Sequence, residues 1–554
     1  MARFAISTRC GLVAGPKRRV PFAAPTRRAL LLGLVALAAP PALAEAPARA
    51  PVPAPRSADL PPESRALLAA SRVTGVTGWQ VRDLDTGAVL DEWRAATPFV
   101  PASVAKLPTA AFALDRLGPE HRFETRVLAT APVIGRATSG DLVLAGGGDP
   151  ELDTDALDGL ASLTAARLDR VQGDLLADPG AYGGIAAIAP GQPPEASYNP
   201  GVAALALNFN RVRVEWPGRG APPATYAQAA RSRPTTDAVR VETAARAVRV
   251  IEALPADRET GAERWRLDTR ALKRPGGRWL PVRAPAAYAA RVFADLARGA
   301  GADLGAPRVA PGAADAGGHV VARHESAPLA SILRRMLFHS TNVTAEMVGL
   351  GASAEEPLDA LVARTAPGST VAVLATGAAA APVEARAALP ASARAMTRWA
   401  AARAGFAPDD PGFHLANHSG LSIASRLSPE RAVDLLIAEA RLGRPVPGRV
   451  NPRRPLGVAQ LLREKRVAVE GDGIDHARLG VAAKTGTMDF VRGLAGYVHT
   501  PGGRRLAFAV FSNDLDRREG ARRGSRTWLA RARSLEAGLV RAWVRMADAE
   551  AAAR

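Results

Sequence analysis

The chain has a single cysteine, Cys10, and it lies within the first 44 residues. Beyond that point disulfides, a thiol nucleophile and a cysteine metal site are excluded. Lysine is nearly as scarce. Of 72 basic residues only Lys17, Lys106, Lys273, Lys465 and Lys484 are lysines, and the rest are arginine. Arginine keeps its charge at any ordinary pH, whereas a desolvated lysine can give up its proton and act as a base. A sequence that writes nearly every cation as arginine therefore directs attention to the places where lysine is retained. Long apolar runs are missing as well. The longest, Ala29-Leu-Leu-Leu-Gly-Leu-Val-Ala-Leu-Ala-Ala39, falls short of the ~20 residues a spanning helix needs, and nothing after it is longer or more apolar.

That run follows Arg27 and Arg28 and precedes Ala42-Leu-Ala44, a small-x-small cleavage pattern, so residues 1–44 read as an export signal. Thr26-Arg-Arg28 also fits the twin-arginine form of such a signal. Residues 45–58 are rich in alanine and proline and read as a flexible leader. The formal charge of +19 falls to +12 without the signal, which carries seven basic and no acidic residues. A basic exported chain is drawn to anionic membrane surfaces or polyanionic polymers. Its arginines are scattered rather than grouped with aromatics, so nucleic acid is not the expected partner, and at most peripheral membrane association is. At about 150 residues per domain, 554 residues predict two to four domains.

Pro62 to Ala70 has helical character, and Gly78-Trp-Gln-Val-Arg-Asp-Leu-Asp85 pairs with Ala88 to Trp93 across an Asp-Thr-Gly turn as a hairpin. A helix follows with Ser103 at its first turn and a stop at Gly118-Pro119. From about Arg126 to His324 the texture changes to short apolar runs punctuated by Gly and Pro, which predicts a strand-rich insert. Helical periodicity returns at Leu329 to Leu350, with one helix ending near His339. Residues 355–389 are dominated by alanine and carry no assignable pattern. The last 75 or so residues predict a strand through Lys484, two further strands at Leu494–Val498 and Leu506–Phe511, and a closing helix from Thr527 to Met546.

Three short motifs carry chemistry. Ser103-Val-Ala-Lys106 places a hydroxyl and an amine three apart, on one helix face, where the amine can take the hydroxyl's proton. Alone, it also describes a capping serine followed by a solvated lysine. Ser340-Thr-Asn342 offers a hydroxyl to relay a proton and a carboxamide to hold an amide. Lys484-Thr485-Gly486 on a strand offers a cation and a hydroxyl for a carboxylate, with a glycine that lets substrate backbone lie along the edge. Elsewhere, Gly146 to Gly148 lacks a following Lys-Ser/Thr and reads as a tight turn rather than a phosphate loop. Asn417-His418-Ser419 reads as a loop with an exposed histidine.

Ser-x-x-Lys, Ser-x-Asn and Lys-Thr-Gly in that order are the motif set of serine β-lactamases and penicillin-binding proteins. Here 237 residues separate Ser103 from Ser340, which requires inserted domains. In this the chain resembles the D-alanyl-D-alanine carboxypeptidase/endopeptidase family typified by penicillin-binding protein 4. The resemblance extends to Gly147-Gly-Asp-Pro150, Tyr198-Asn199, Asn208-Phe-Asn210, Leu280-Pro-Val282, Ser340-Thr-Asn-Val-Thr-Ala-Glu346, Ser419-Gly-Leu-Ser422 and Lys484-Thr-Gly-Thr487. It implies an α+β fold, a β-lactamase/transpeptidase-like antiparallel sheet flanked by helices. Residues 59–125 and 325–549 would form the catalytic domain, and 126–324 an insert of two nested subdomains.

The resemblance also implies an exported, periplasmic serine DD-peptidase acting on peptidoglycan stem peptides, acylated by β-lactams, with no cofactor and no metal. Ser103 would be the nucleophile and Lys106 its base, kept neutral by burial and by Lys484. Ser340 and Asn342 would serve the leaving group and the acyl amide. Lys484, Thr485, Gly486 and Thr487 would bind the substrate, and Ser419 would contact it. A β-lactamase or esterase with the same machinery, and a non-catalytic cell-wall-binding protein, are the alternatives.

Two departures stand out. Members often carry an acidic Trp-x-x-Asp-Asp-like stretch before Tyr-Asn, where this chain has Gln192-Pro-Pro-Glu-Ala-Ser197. Many carry an arginine directly after Ser-Gly-Leu-Ser, where this chain has Ile423. In relatives those groups hold the charged ends of a diaminopimelate side chain, so a relaxed or different side-chain preference is implied. Thr341 for the usual aspartate is a smaller change.

Overall fold

The computed structural model describes residues 60–245, 249–258, 260–354, 383–442, 456–462, 464–465, 480–520 and 524–552. The expected export signal, the leader and the alanine-rich residues 355–382 lie outside the described residues.

Six strands form the main sheet, in the order Glu464–Lys465, Gly480–Met488, Val491–His499, Arg505–Asn513, Val76–Asp83, Val89–Trp93. Every neighbouring pair is antiparallel. The N-terminal hairpin therefore joins the C-terminal strands, with Val76 to Asp83 pairing residue by residue against Asn513 to Leu506. Helices cover both faces. On one, Trp79, Val81, Phe508 and Val510 share a core with Leu535, Leu539, Val540 and Trp543 of the C-terminal helix Ser525–Ala552. On the other, Ala507, Ala509 and Phe511 share a core with Phe112 of helix Lys106–Leu117, Ile332 and Met336 of helix Leu329–His339, and Leu436 of helix Pro429–Leu442. A sheet buried on both sides needs no polar face, which is why Leu494–Val498 and Leu506–Phe511 read as unbroken apolar runs. Buried Asp91 ties the layers, accepting from Ser64 Oγ (2.6 Å) and Trp543 Nε1 (2.7 Å). The expected α+β class, an antiparallel sheet flanked by helices, is what the chain adopts.

Between helices Lys106–Leu117 and Leu329–His339 lies the insert. Its five-stranded sheet has the order Pro307–Val309, Leu175–Asp178, Leu142–Gly146, Glu124–Ala129, His319–Glu325, and residues 211–281 add two three-stranded sheets. One apolar core runs through these sheets and helices Thr154–Ala165 and Pro285–Gly299. The strand leading in pairs with the strand leading out, Glu124 with Glu325 and Thr125 with His324. Just outside them the Ser326 amide donates to the Phe123 carbonyl at 2.9 Å. The whole insert thus leaves and rejoins the chain at one place.

The glycines at 146 and 147 serve close approach of backbone rather than a turn. A Cβ on Gly146 would overlap the Leu205 backbone, and one on Gly147 the Glu124 carbonyl. Asn208, Phe209 and Asn210 sit at φ of 53°, 56° and 53°, a left-handed run that asparagine tolerates better than most residues with a Cβ. The two asparagine side chains secure it, Asn208 to Thr154 and Asn210 to the Gly201 carbonyl.

Candidate active site

Ser103 lies in a 3₁₀ turn, Ala102–Ala105, and Lys106 is the first residue of the α-helix that follows. In a 3₁₀ turn residues three apart eclipse one another, so the two side chains line up and Lys106 Nζ stands 3.0 Å from Ser103 Oγ. Ala102, directly before Ser103, is held at φ 46°. Such a conformation costs an alanine about 1 kcal/mol or more and persists only where the surroundings enforce it. Two glycines do so. A Cβ on Gly420 would overlap the Ala102 carbonyl oxygen, and one on Gly486 would overlap the Pro101 carbonyl and approach Ser103 N to 3.1 Å. Gly486, expected to make room for substrate backbone, makes room for residues 101–103.

Lys106 is fully buried. Its Nζ also meets Asn342 Oδ1 at 2.7 Å and the Ser419 carbonyl at 2.8 Å. A neutral amine has two protons and one lone pair. Two donations, to Asn342 and Ser419, leave the lone pair for the Ser103 hydroxyl. Burial draws Lys106 down to about 7, while the nearby Glu346 charge pulls it back up. The expected help from Lys484 is not among the causes of that shift, which are burial and Glu346; Lys484 has partners of its own. It donates to Ser340 Oγ at 3.0 Å and to the Thr485 carbonyl at 2.7 Å. The three motifs thus form two lysine–serine pairs, Lys106 with Ser103 and Lys484 with Ser340.

Ser340 ends helix Leu329–His339 in the left-handed region, φ 60°, and the next helix, Asn342–Ala354, starts two residues on. That break turns Ser340 toward Lys484 and Asn342 toward Lys106. The Asn342 amide also donates to the Tyr198 carbonyl at 2.9 Å, so the insert reaches the site. Asn199 anchors that stretch by bonding Ala189 N and O, each at 2.9 Å.

One turn beyond Asn342 lies Glu346, fully buried. Its carboxylate accepts the backbone N–H groups of His418 (3.0 Å) and Ser419 (2.9 Å). It fixes the loop whose Ser419 carbonyl meets Lys106. No motif assigns Glu346 a role, although its i+4 spacing from Asn342 places both on one helix face. Two expectations are corrected here. The Ser419 side chain, expected to contact substrate, is fully buried and its hydroxyl accepts from Leu421 N at 3.2 Å, while its carbonyl meets Lys106. His418 is not exposed. Its ring is buried against Gly349, with Nε2 2.7 Å from Ser392 Oγ and Nδ1 3.4 Å from Met396 Sδ. Burial lowers it to about 3, so it stays neutral. The partners come from the helix that emerges from the alanine-rich stretch, which no periodicity announced.

Thr485 is half-buried and Thr487 exposed on the strand Gly480–Met488. Among the described residues the outer neighbour of that strand pairs only with Val481 and Ala482, which leaves the edge from Lys484 to Met488 open. Ile423 is exposed too, and its carbonyl accepts from Arg426 Nη1 at 2.6 Å, so an arginine lies close by although the sequence position itself is apolar.

The arrangement suits acyl transfer: a nucleophile with a lowered-pKa amine, a second hydroxyl on a cation, and an open strand edge. The model of the D-Ala-D-Ala carboxypeptidase 3 (S13) family matches residues 65–373 and 402–532. A D-alanyl-D-alanine carboxypeptidase of Actinomadura sp. (strain R39) is 30% identical over 509 residues, 87% of this chain and 85% of that one. Penicillin binding protein 4 from Haemophilus influenzae superposes with a TM-score of 0.61 at 19% identity, covering 86% of this chain and 99% of that one. The same protein complexed with a β-lactam gives a TM-score of 0.59 at 19% identity over the same shares, 86% and 99%. The family match includes Ser103-x-x-Lys106, Ser340-x-Asn342, Lys484-Thr-Gly and the insert between the first two. The chain belongs to the D-Ala-D-Ala carboxypeptidase 3 (S13) family.

Proposed function

We propose that the protein is an exported serine DD-peptidase of the periplasm, cleaving after the penultimate D-alanine of peptidoglycan stem peptides and their cross-links. The observation that carries this reading is Lys106: a fully buried amine 3.0 Å from Ser103 Oγ, also bonded to Asn342 Oδ1 and the Ser419 carbonyl. Lys106 takes the Ser103 proton as Oγ attacks the carbonyl carbon. The backbone N–H groups of Ser103 and Thr487 hold the oxyanion. As the C–N bond breaks, Ser340, beside Lys484, passes a proton to the departing amine and regains the one that Lys106 took from Ser103, so both groups are restored before water attacks. Asn342 orients the acyl amide, and Lys484, Thr485 and Thr487 engage the terminal carboxylate. Water then releases the acyl group, and a β-lactam leaves the enzyme acylated. Among the described residues no helix is long and apolar enough to cross a membrane.

The test is incubation with labelled penicillin and with a pentapeptide ending in D-Ala-D-Ala, comparing wild type with Ser103→Ala. Ser103-dependent labelling and D-alanine release are expected. If wild type shows neither, the enzyme reading fails; rapid turnover of the penicillin instead of stable labelling would point to a β-lactamase.

A further inference from the structure

The exposed Thr487 hydroxyl is backed by a buried charge that no motif contains. Arg492, paired with Thr487 across neighbouring strands, is 8% exposed. Its guanidinium holds Glu536 of the C-terminal helix through Nε, 3.0 and 2.9 Å from the two carboxylate oxygens, and Nη2 at 2.8 Å. Nη1 is turned the other way and donates to Thr487 Oγ1 at 2.8 Å. Glu536 is 3% exposed, and burial alone would favour its neutral form; Arg492 and Arg533 oppose that. The pair is costly to bury and has no reason, from packing alone, to be aimed at a surface hydroxyl.

A hydroxyl has one proton to give. With Arg492 donating into one of its two lone pairs, the Thr487 O–H proton is turned away from the guanidinium, on a strand edge two residues from Thr485. A donor held that way, with a guanidinium behind it, selects an anionic acceptor. We infer that Arg492 is a positioning residue for recognition of the substrate's terminal carboxylate, acting through Thr487 and held by Glu536. Carboxylate recognition would then depend on the C-terminal helix as well as on the Lys-Thr-Gly strand. This rests on the DD-peptidase reading and deepens it.

The experiment compares acylation by a labelled penicillin and by its methyl ester, which lacks the negative charge, in wild type, Arg492→Met and Thr487→Val. Arg492→Met should slow acylation by the free acid about 10–100-fold, the range for loss of a hydrogen bond to a charged group, and change the ester rate by less than about threefold. Equal slowing of acid and ester, or no slowing of either, would overturn the proposal. If Arg492→Met lacks a cooperative thermal transition, Thr487→Val decides. It must show the same acid-selective loss, and an unaltered acid-to-ester ratio overturns the proposal. A wild type acylated by neither compound would instead sink the DD-peptidase reading, so the two failures are distinguishable.

Discussion

Lys106 sets the pH response. Below about 7 its amine is protonated and cannot accept the Ser103 proton, so acylation by penicillin should rise with pH through about 7 and level off above it. The charge of Glu346 favours the ammonium. Glu346→Gln should therefore move that midpoint to lower pH while slowing the plateau rate, since a carboxamide cannot accept both the His418 and Ser419 N–H groups as the carboxylate does. A midpoint displaced to higher pH would contradict this account. Lys106→Arg should be nearly as damaging as Lys106→Ala, each slowing acylation by about 10²–10⁴-fold, because arginine supplies charge but does not surrender its proton. Scarcity made Lys106 and Lys484 legible in the sequence. It also hid Arg492, one arginine among very many, whose task depends on a partner 44 residues away on another element.

At the scale of elements, the site is a set of breaks held by close backbone contacts. The Ser-x-x-Lys pair was legible because its geometry is local, three residues in one turn. The break at Ser340 was legible only in part. Helical periodicity runs on to Leu350, and nothing about a serine announces a left-handed residue. The Gly420 clamp was invisible, since it opposes residues more than 300 apart in sequence, Ala102 and Gly420. Gly420→Ala should slow acylation by about 10²-fold, the order expected when reacting groups shift by ~1 Å. Gly503→Ala is the matched control. It has a similar φ, 83° against 75°, but open space where the Cβ would go. It should lower stability by about 1 kcal/mol and leave acylation unchanged. Thermal melts and penicillin labelling of the two variants separate backbone strain from displacement of the nucleophile.

At the largest scale, strands from residues 76–93 and 480–513, far apart in sequence, form one sheet. Trp543 fills the space beneath Phe508 and bonds Asp91, so Trp543→Ala should cost about 3–5 kcal/mol, read as a lower urea midpoint. The alternating and continuous apolar runs of the hairpin and last strands announced this sheet, but not that its first strand would pair with its last. The insert was legible as a change of texture; its contact with the site was not, because it rests on a backbone carbonyl, that of Tyr198. Tyr182, Ile188 and Val202 of the insert share an apolar cluster with Val343, Met347 and Leu350, on the helix that begins at Asn342. A segment that departs and returns between Phe123 and Ser326 meets the rest of the chain at one strand pair and at that apolar cluster. Because that segment also holds Asn342 through the Tyr198 carbonyl, and Asn342 in turn meets Lys106, a change at the far side of the insert has a short path to Ser103.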